Sequence, residues 1–102
     1  MTADMKLMTK ELARELEKYP LYSQDGRGDD ATVVCKYFIG SYTWYVTEAH
    51  KCENGDYEFF GLVEGLYREW GYFMLSDLEA VDYHGLKVER DLYFEPTRIG
   101  DL

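Results

Sequence analysis

Three groups of residues carry side chains that chemistry could use. The stretch Asp25-Gly26-Arg27-Gly28-Asp29-Asp30 concentrates three carboxylates in six residues, and hard cations want clustered oxygen ligands. A calcium loop, however, needs further ligands at alternating positions and a distal glutamate, and a phosphate fingerprint needs wider glycine spacing behind a strand. A tight polar loop accounts for the stretch. His50 and Cys52 stand two apart, like half of a zinc ligand set. The second half is missing, because the remaining candidates are His84 and Cys35, and Cys35 falls where a core strand is expected. Nothing marks either thiol as an activated nucleophile. The run Glu89-Arg90-Asp91 offers a guanidinium that can grip a carboxylate or phosphate through two parallel hydrogen bonds. It can equally pair inside its own sheet, with Glu48 as a candidate partner. Glu48, Glu89 and Asp91 can be drawn as paired acids for hydrolysis, yet no spacing brings them together. These residues assign no metal, no cofactor and no catalytic set.

The elements that must position these groups are legible from periodicity. Met8, Leu12, Leu16 and Tyr19 recur at helical spacing. Thr9 is placed to cap the N-terminus and Pro20 forbids continuation, so a helix of about ten residues is expected to lie on a sheet. Thr32 to Ile39 and Tyr42 to Glu48 are β-rich runs joined by Gly40-Ser41, a hairpin signal. Closing the hairpin there pairs Ile39 with Tyr42, Tyr37 with Trp44 and Cys35 with Val46 on one apolar face. Phe38 with Thr43, Lys36 with Tyr45 and Val34 with Thr47 fall on the other, more mixed face. Cys35 and Trp44 are therefore expected to point inward. Tyr57 to Leu66 predicts a third strand, in which Gly61 and Gly65 permit close approach or mark a bulge. Tyr67 to Trp70 is expected to connect it to a fourth strand, Gly71 to Leu75. Ser76 and Glu79 form a capping-box pattern that predicts a short helix near residues 77–81. Residues 86–94 fit a helical turn or a final edge strand, and residues 96–102 a tail. The expected fold is α+β in a single domain, residues 1–102: an N-terminal helix packed on an antiparallel sheet of four or five strands.

Composition bounds the function class. Of 102 residues, 46% are apolar, which excludes a disordered chain. Two cysteines do not make a disulfide framework, and Met1 to Lys10 has neither a leader's apolar run nor a membrane span. A cytoplasmic protein is expected. The net charge is −9. Residues 1–20 hold four basic and four acidic side chains, whereas residues 21–102 hold seven basic and sixteen acidic, so the sheet-forming part carries the whole excess. Such a field repels nucleic acid and anionic membrane and attracts basic protein surfaces. Ten tyrosines exceed what a core of this size can bury. Tyr and Trp give rigid contact area with a polar tip, which makes Tyr45, with Thr43 and Thr47 on the mixed sheet face, a candidate interface. The candidate binding residues are Asp29, Asp30, Tyr45, Glu48, Glu89, Arg90 and Asp91.

Several runs occur in a telling order: Leu21-Tyr22-Ser23, Gly28-Asp29-Asp30, Trp44-Tyr45-Val46-Thr47-Glu48, Phe59 to Gly65, Glu69-Trp70-Gly71-Tyr72-Phe73 and Glu89 to Pro96. Through them nearly the whole chain resembles a bacterial family of domains of unknown function, similar in length and carried largely on plasmids, conjugative elements and phages. The resemblance implies an accessory role in mobile-element biology and carries over no reaction or catalytic residue. Three classes of function remain: a protein-binding factor that docks on a basic groove, as an inhibitor of a nucleic-acid-targeting host defence would; a small enzyme built on Glu48, Arg90 and Asp91 with the Asp29–Asp30 loop; and a module that forms oligomers through an edge strand such as Leu86–Phe94.

Overall fold

The hairpin closed by Gly40 and Ser41 sets the sheet. In a computed structural model that describes residues 5–102, β2 (Cys35–Ile39) and β3 (Tyr42–Lys51) pair in the register expected, from Ile39 with Tyr42 to Cys35 with Val46. The left-handed backbone of Gly40 (φ 54°) is what a two-residue hairpin turn requires. Three further strands complete the sheet: β4 (Tyr57–Glu64), β5 (Arg68–Met74) and β6 (Glu89–Arg90). Their order is β5-β4-β3-β2-β6, each antiparallel to its neighbour. β1 (Thr32–Val33) and β7 (Thr97–Arg98) form a separate antiparallel pair. Residues 1–4, part of the N-terminal stretch considered as a leader, lie outside the described residues.

Helix α1 (Lys10–Leu16) is capped by Thr9, whose Oγ1 accepts the Leu12 N–H at 3.1 Å. It is shorter than the apolar spacing predicts. The backbone tightens after Leu16, with the Tyr19 N–H donating to the Leu16 carbonyl, because the residue before Pro20 is pushed out of the helical region. Helix α2 (Leu75–Ala80) begins earlier than the capping-box pattern predicts, and Ser76 lies inside it without capping it. Asp56, from the turn between β3 and β4, does that work: its carboxylate accepts the Ser76 N–H at 3.1 Å and the Ser76 hydroxyl at 2.6 Å.

Both helices pack on one sheet face. Leu7, Leu12, Leu16, Leu75 and Leu78 meet Cys35, Tyr37, Val46 and Phe59 in a single apolar cluster. Phe59 is completely buried, and side chains of its kind contribute about 2–3 kcal/mol on burial. The Tyr37 hydroxyl, also buried, donates to the Leu7 carbonyl at 2.6 Å, which ties the segment before α1 to the sheet. The opposite face is less wet than expected. Ala31, Val33 and Ile99 cover Leu62 there, with Tyr45 and Phe94 at the margin.

Four local expectations change. The run Thr32 to Ile39 breaks at Val34, whose N–H donates to the Val46 carbonyl, so the Val34–Thr47 pair does not form. Residues 68–70 belong to β5 rather than to a connection, because β4 and β5 pair as far as Glu64 with Arg68, an ion pair at 3.0 Å. Of residues 86–94, Glu89 and Arg90 alone make strand pairs with β2. The presumed tail supplies β7 and the buried Ile99.

Candidate functional site

The site begins with a bulge in β3. Val46 pairs with Gly61 and Glu48 with Phe60, so Thr47 is an extra residue in the ladder. A strand alternates its side chains between faces, and one inserted residue inverts the alternation beyond it. Trp44 and Val46 therefore face the helices, and so does Ala49, while Glu48 is turned to the opposite face. Without the bulge Glu48 would lie in the apolar cluster. Gly61 permits the distortion, since a Cβ there would overlap the Tyr45 carbonyl oxygen.

On that opposite face Glu48 is 2% exposed. Its two carboxylate oxygens accept the backbone N–H of Tyr22 at 2.7 Å and of Gln24 at 2.8 Å. The left-handed conformation of Tyr22 (φ 74°) turns these donors to one side, as in backbone nests that hold anions. Gln24 continues the clamp. Its amide donates to the carbonyls of Thr32 and Thr47 at 2.8 and 2.7 Å and accepts the Thr32 N–H at 2.6 Å. Glu48 and Gln24 thus fix the loop over residues 21–31 onto the sheet.

The fixed loop makes one wall of a cleft. A volume of about 350 Å³ lies between Gln24, Asp25, Gly26, Thr47, Phe60 and Trp70. A smaller one of about 220 Å³ adjoins it across Gly28 and Trp70 and includes Asp29 and Arg68. Trp70 stacks on Phe60 with ring centroids 5.6 Å apart, and Tyr72 tilts against the same ring at 4.8 Å. Trp70 is nonetheless 42% and Tyr72 52% exposed. Desolvation, and after it the neighbouring Tyr22 side chain, hold the Tyr72 phenol above its ordinary value, so it stays neutral. Asp25 and Asp29 take part in no ion pair among the described residues. The result is an aromatic shelf with unneutralised carboxylates at its rim.

The residues proposed from sequence are spread over the molecule. Asp29 is exposed at the cleft, and Asp30 pairs with Arg98 at 2.6 Å. Tyr45 is half-buried against Phe94. Asp91 approaches Lys36 at 3.8 Å, and Glu89 is exposed at the far edge strand. Arg90 pairs with Tyr37 on the helix face and lines a separate cleft with Thr9, Leu12 and Cys35. Glu48 and Arg90 are therefore on opposite faces, and the arginine–carboxylate constellation considered for an enzyme is not assembled. Thr47, read as interfacial, is buried and donates to the Phe60 carbonyl. Among the described residues no three of His, Cys, Asp and Glu converge as metal ligands. Trp70 and Phe60 were not singled out by sequence, although Trp70 and Tyr72 share the period-two pattern that places both on one face.

Fold and cleft together define a small α+β sheet protein whose polar loop is clamped over an antiparallel sheet beside an exposed aromatic shelf. The chain belongs to the family described as "Protein of unknown function (DUF2958)", whose model matches residues 7–99. No curated protein and no solved structure matches it. No described helix is long and apolar enough to cross a membrane.

Proposed function

We propose that this protein is a binding factor that docks on a basic surface of another protein through the shelf formed by Trp70, Tyr72 and Phe60 and the carboxylates around it. The observation that carries the reading is the placement of two large aromatic side chains, both packed on Phe60 yet about half exposed, next to Asp25 and Asp29. Aromatic side chains held rigid on a strand give contact area at little entropic cost. Arginine and lysine are the natural complement, since their cations are attracted both by carboxylates and by the faces of Trp and Tyr rings. The charge of −9 steers such a partner from a distance and disfavours nucleic acid. With the mobile-element setting implied by the sequence motifs, a host protein with a basic, nucleic-acid-handling groove is the partner class that fits, and inhibition of such a defence protein is the biological role that follows.

The test is affinity capture from host lysate with the wild-type chain and with a Trp70→Ala/Tyr72→Ala variant. A basic partner retained by the first, eluted by salt and lost in the second supports the reading. Equal recovery by both chains, or recovery of no basic protein, removes it.

A further inference from the structure

The same shelf lies along an open sheet edge. β5 pairs with β4 on one side and is last in the sheet order. The bond from the Gly65 N–H to the Tyr67 carbonyl at 3.0 Å fixes the phase of the β4–β5 ladder, in which residue pairs alternate between bonded and non-bonded. With Glu64 opposite Arg68 and Val63 opposite Glu69, the residues Glu69, Gly71 and Phe73 direct their N–H and C=O groups at β4. Trp70 and Tyr72 direct theirs outward. No described backbone or side-chain group bonds to these outward groups, and both residues are exposed. Natural edges are usually shortened, covered or protected by lysine or proline, whereas this one is seven residues long and its arginine, Arg68, is engaged with Glu64. Gly71 sits in its middle. Its backbone is not left-handed and a Cβ there would meet nothing within 4 Å, so packing within the chain does not call for glycine. A glycine inside a strand marks a bulge, a bend or a place where another backbone comes close, and the β4–β5 pairing runs through Gly71 with no shift of register.

We infer that β5 accepts an extended, arginine- or lysine-bearing segment of the protein partner as a sixth strand of the sheet. This rests on the binding reading above and specifies its mode. Main-chain bonds to Trp70 and Tyr72 supply sequence-independent affinity. Alternate side chains of the added strand project over the aromatic shelf, where its cations meet Trp70, Tyr72, Asp25 and Asp29. The gap above Gly71 on the other face admits a side chain from the new strand. A second copy is the poorer occupant, because two chains of charge −9 repel each other.

The experiment uses the full chain and a capped peptide of alternating arginine and threonine, the same peptide N-methylated on every second amide, and a version with glutamate for arginine. Amide exchange is followed residue by residue by NMR. The arginine peptide is expected to slow exchange at Trp70 and Tyr72 by about tenfold or more while leaving Glu69 and Gly71 unchanged, and methylation to weaken binding by about the same factor. Equal binding of the methylated peptide overturns strand addition and leaves the basic-partner reading standing. Binding of the glutamate peptide as tightly as the arginine one contradicts both. Protection of Trp70 and Tyr72 on raising protein concentration alone makes a second copy the occupant, and no protection by the arginine peptide also overturns the inference.

Discussion

The Glu48 carboxylate holds the Gln24 backbone N–H at 2.8 Å across 24 residues of sequence. A buried acid in a small protein invites a catalytic reading, but both oxygens of this one are occupied by the loop it anchors. Glu48→Ala leaves one buried donor, the Gln24 N–H, and one partly buried donor, the Tyr22 N–H, unpaired and is expected to destabilise the fold by about 2–4 kcal/mol. Glu48→Gln, which retains an acceptor oxygen, should cost less. Urea denaturation gives the magnitudes, and faster exchange of the Tyr22 and Gln24 amides localises the effect. A Glu48→Ala protein as stable as wild type contradicts the clamp.

Tyr37→Phe removes one hydroxyl and almost no volume from the core. The Leu7 carbonyl loses its donor, at a cost of about 1–3 kcal/mol. Burial raises the Tyr37 phenol, so the hydroxyl remains a donor throughout the physiological range. Loss of stability with loosening of residues 5–9, read by limited proteolysis, is the expected pair of results.

The two thiols should differ sharply. Burial pushes Cys35 up to about 12, while Cys52 is half-exposed in the β3–β4 turn. A thiol reagent near pH 8 is expected to label one cysteine per folded chain and two in denaturant. Mass spectrometry that finds Cys35 labelled as fast as Cys52 would show that the apolar cluster opens more readily than its packing implies.

The Asp56–Ser76 contact predicts an acid-sensitive component of stability. Hydrogen bonds from the Ser76 hydroxyl, and then from the backbone, lower the Asp56 carboxyl below its ordinary value. A group depressed on folding contributes stability that is complete above its unfolded pKa, about 4, and is lost as pH falls through the folded value. The melting temperature of Asp56→Ala should lie below that of wild type at neutral pH, and the gap should close as pH is lowered through the range below about 4. A gap unchanged by pH would mean that the carboxylate's charge does not contribute.

Much of the scaffold was legible because it follows local rules. Thr9 capped the helix, Gly40-Ser41 closed the hairpin, and five cross-strand pairs fell where alternation puts them. The errors arose where distant segments decide. Asp56 is twenty residues from Ser76, so no local pattern reveals which residue caps α2. Thr97–Arg98 reads as a tail until β1 is beside it. The bulge at Thr47 did leave a trace in the sequence. Trp44 and Val46 occupy the apolar register, and Glu48 would be the next residue in it. A carboxylate at a core position signals an inserted residue, and that inference would have separated Glu48 from Arg90 at once. Trp70 was harder, because Gly71 interrupts the β-rich run and made residues 67–70 resemble a connection.

The shelf of Trp70 and Tyr72 bears the functional claim, so its most direct test is a titration of the captured basic partner against the wild-type and Trp70→Ala/Tyr72→Ala chains at rising salt. Wild-type affinity should fall steadily as salt screens the carboxylates, and the double variant should bind more weakly by about tenfold or more at every salt concentration, the size expected of aromatic anchors at an interface centre. Affinity that ignores both salt and the loss of the two aromatic rings would contradict the claim.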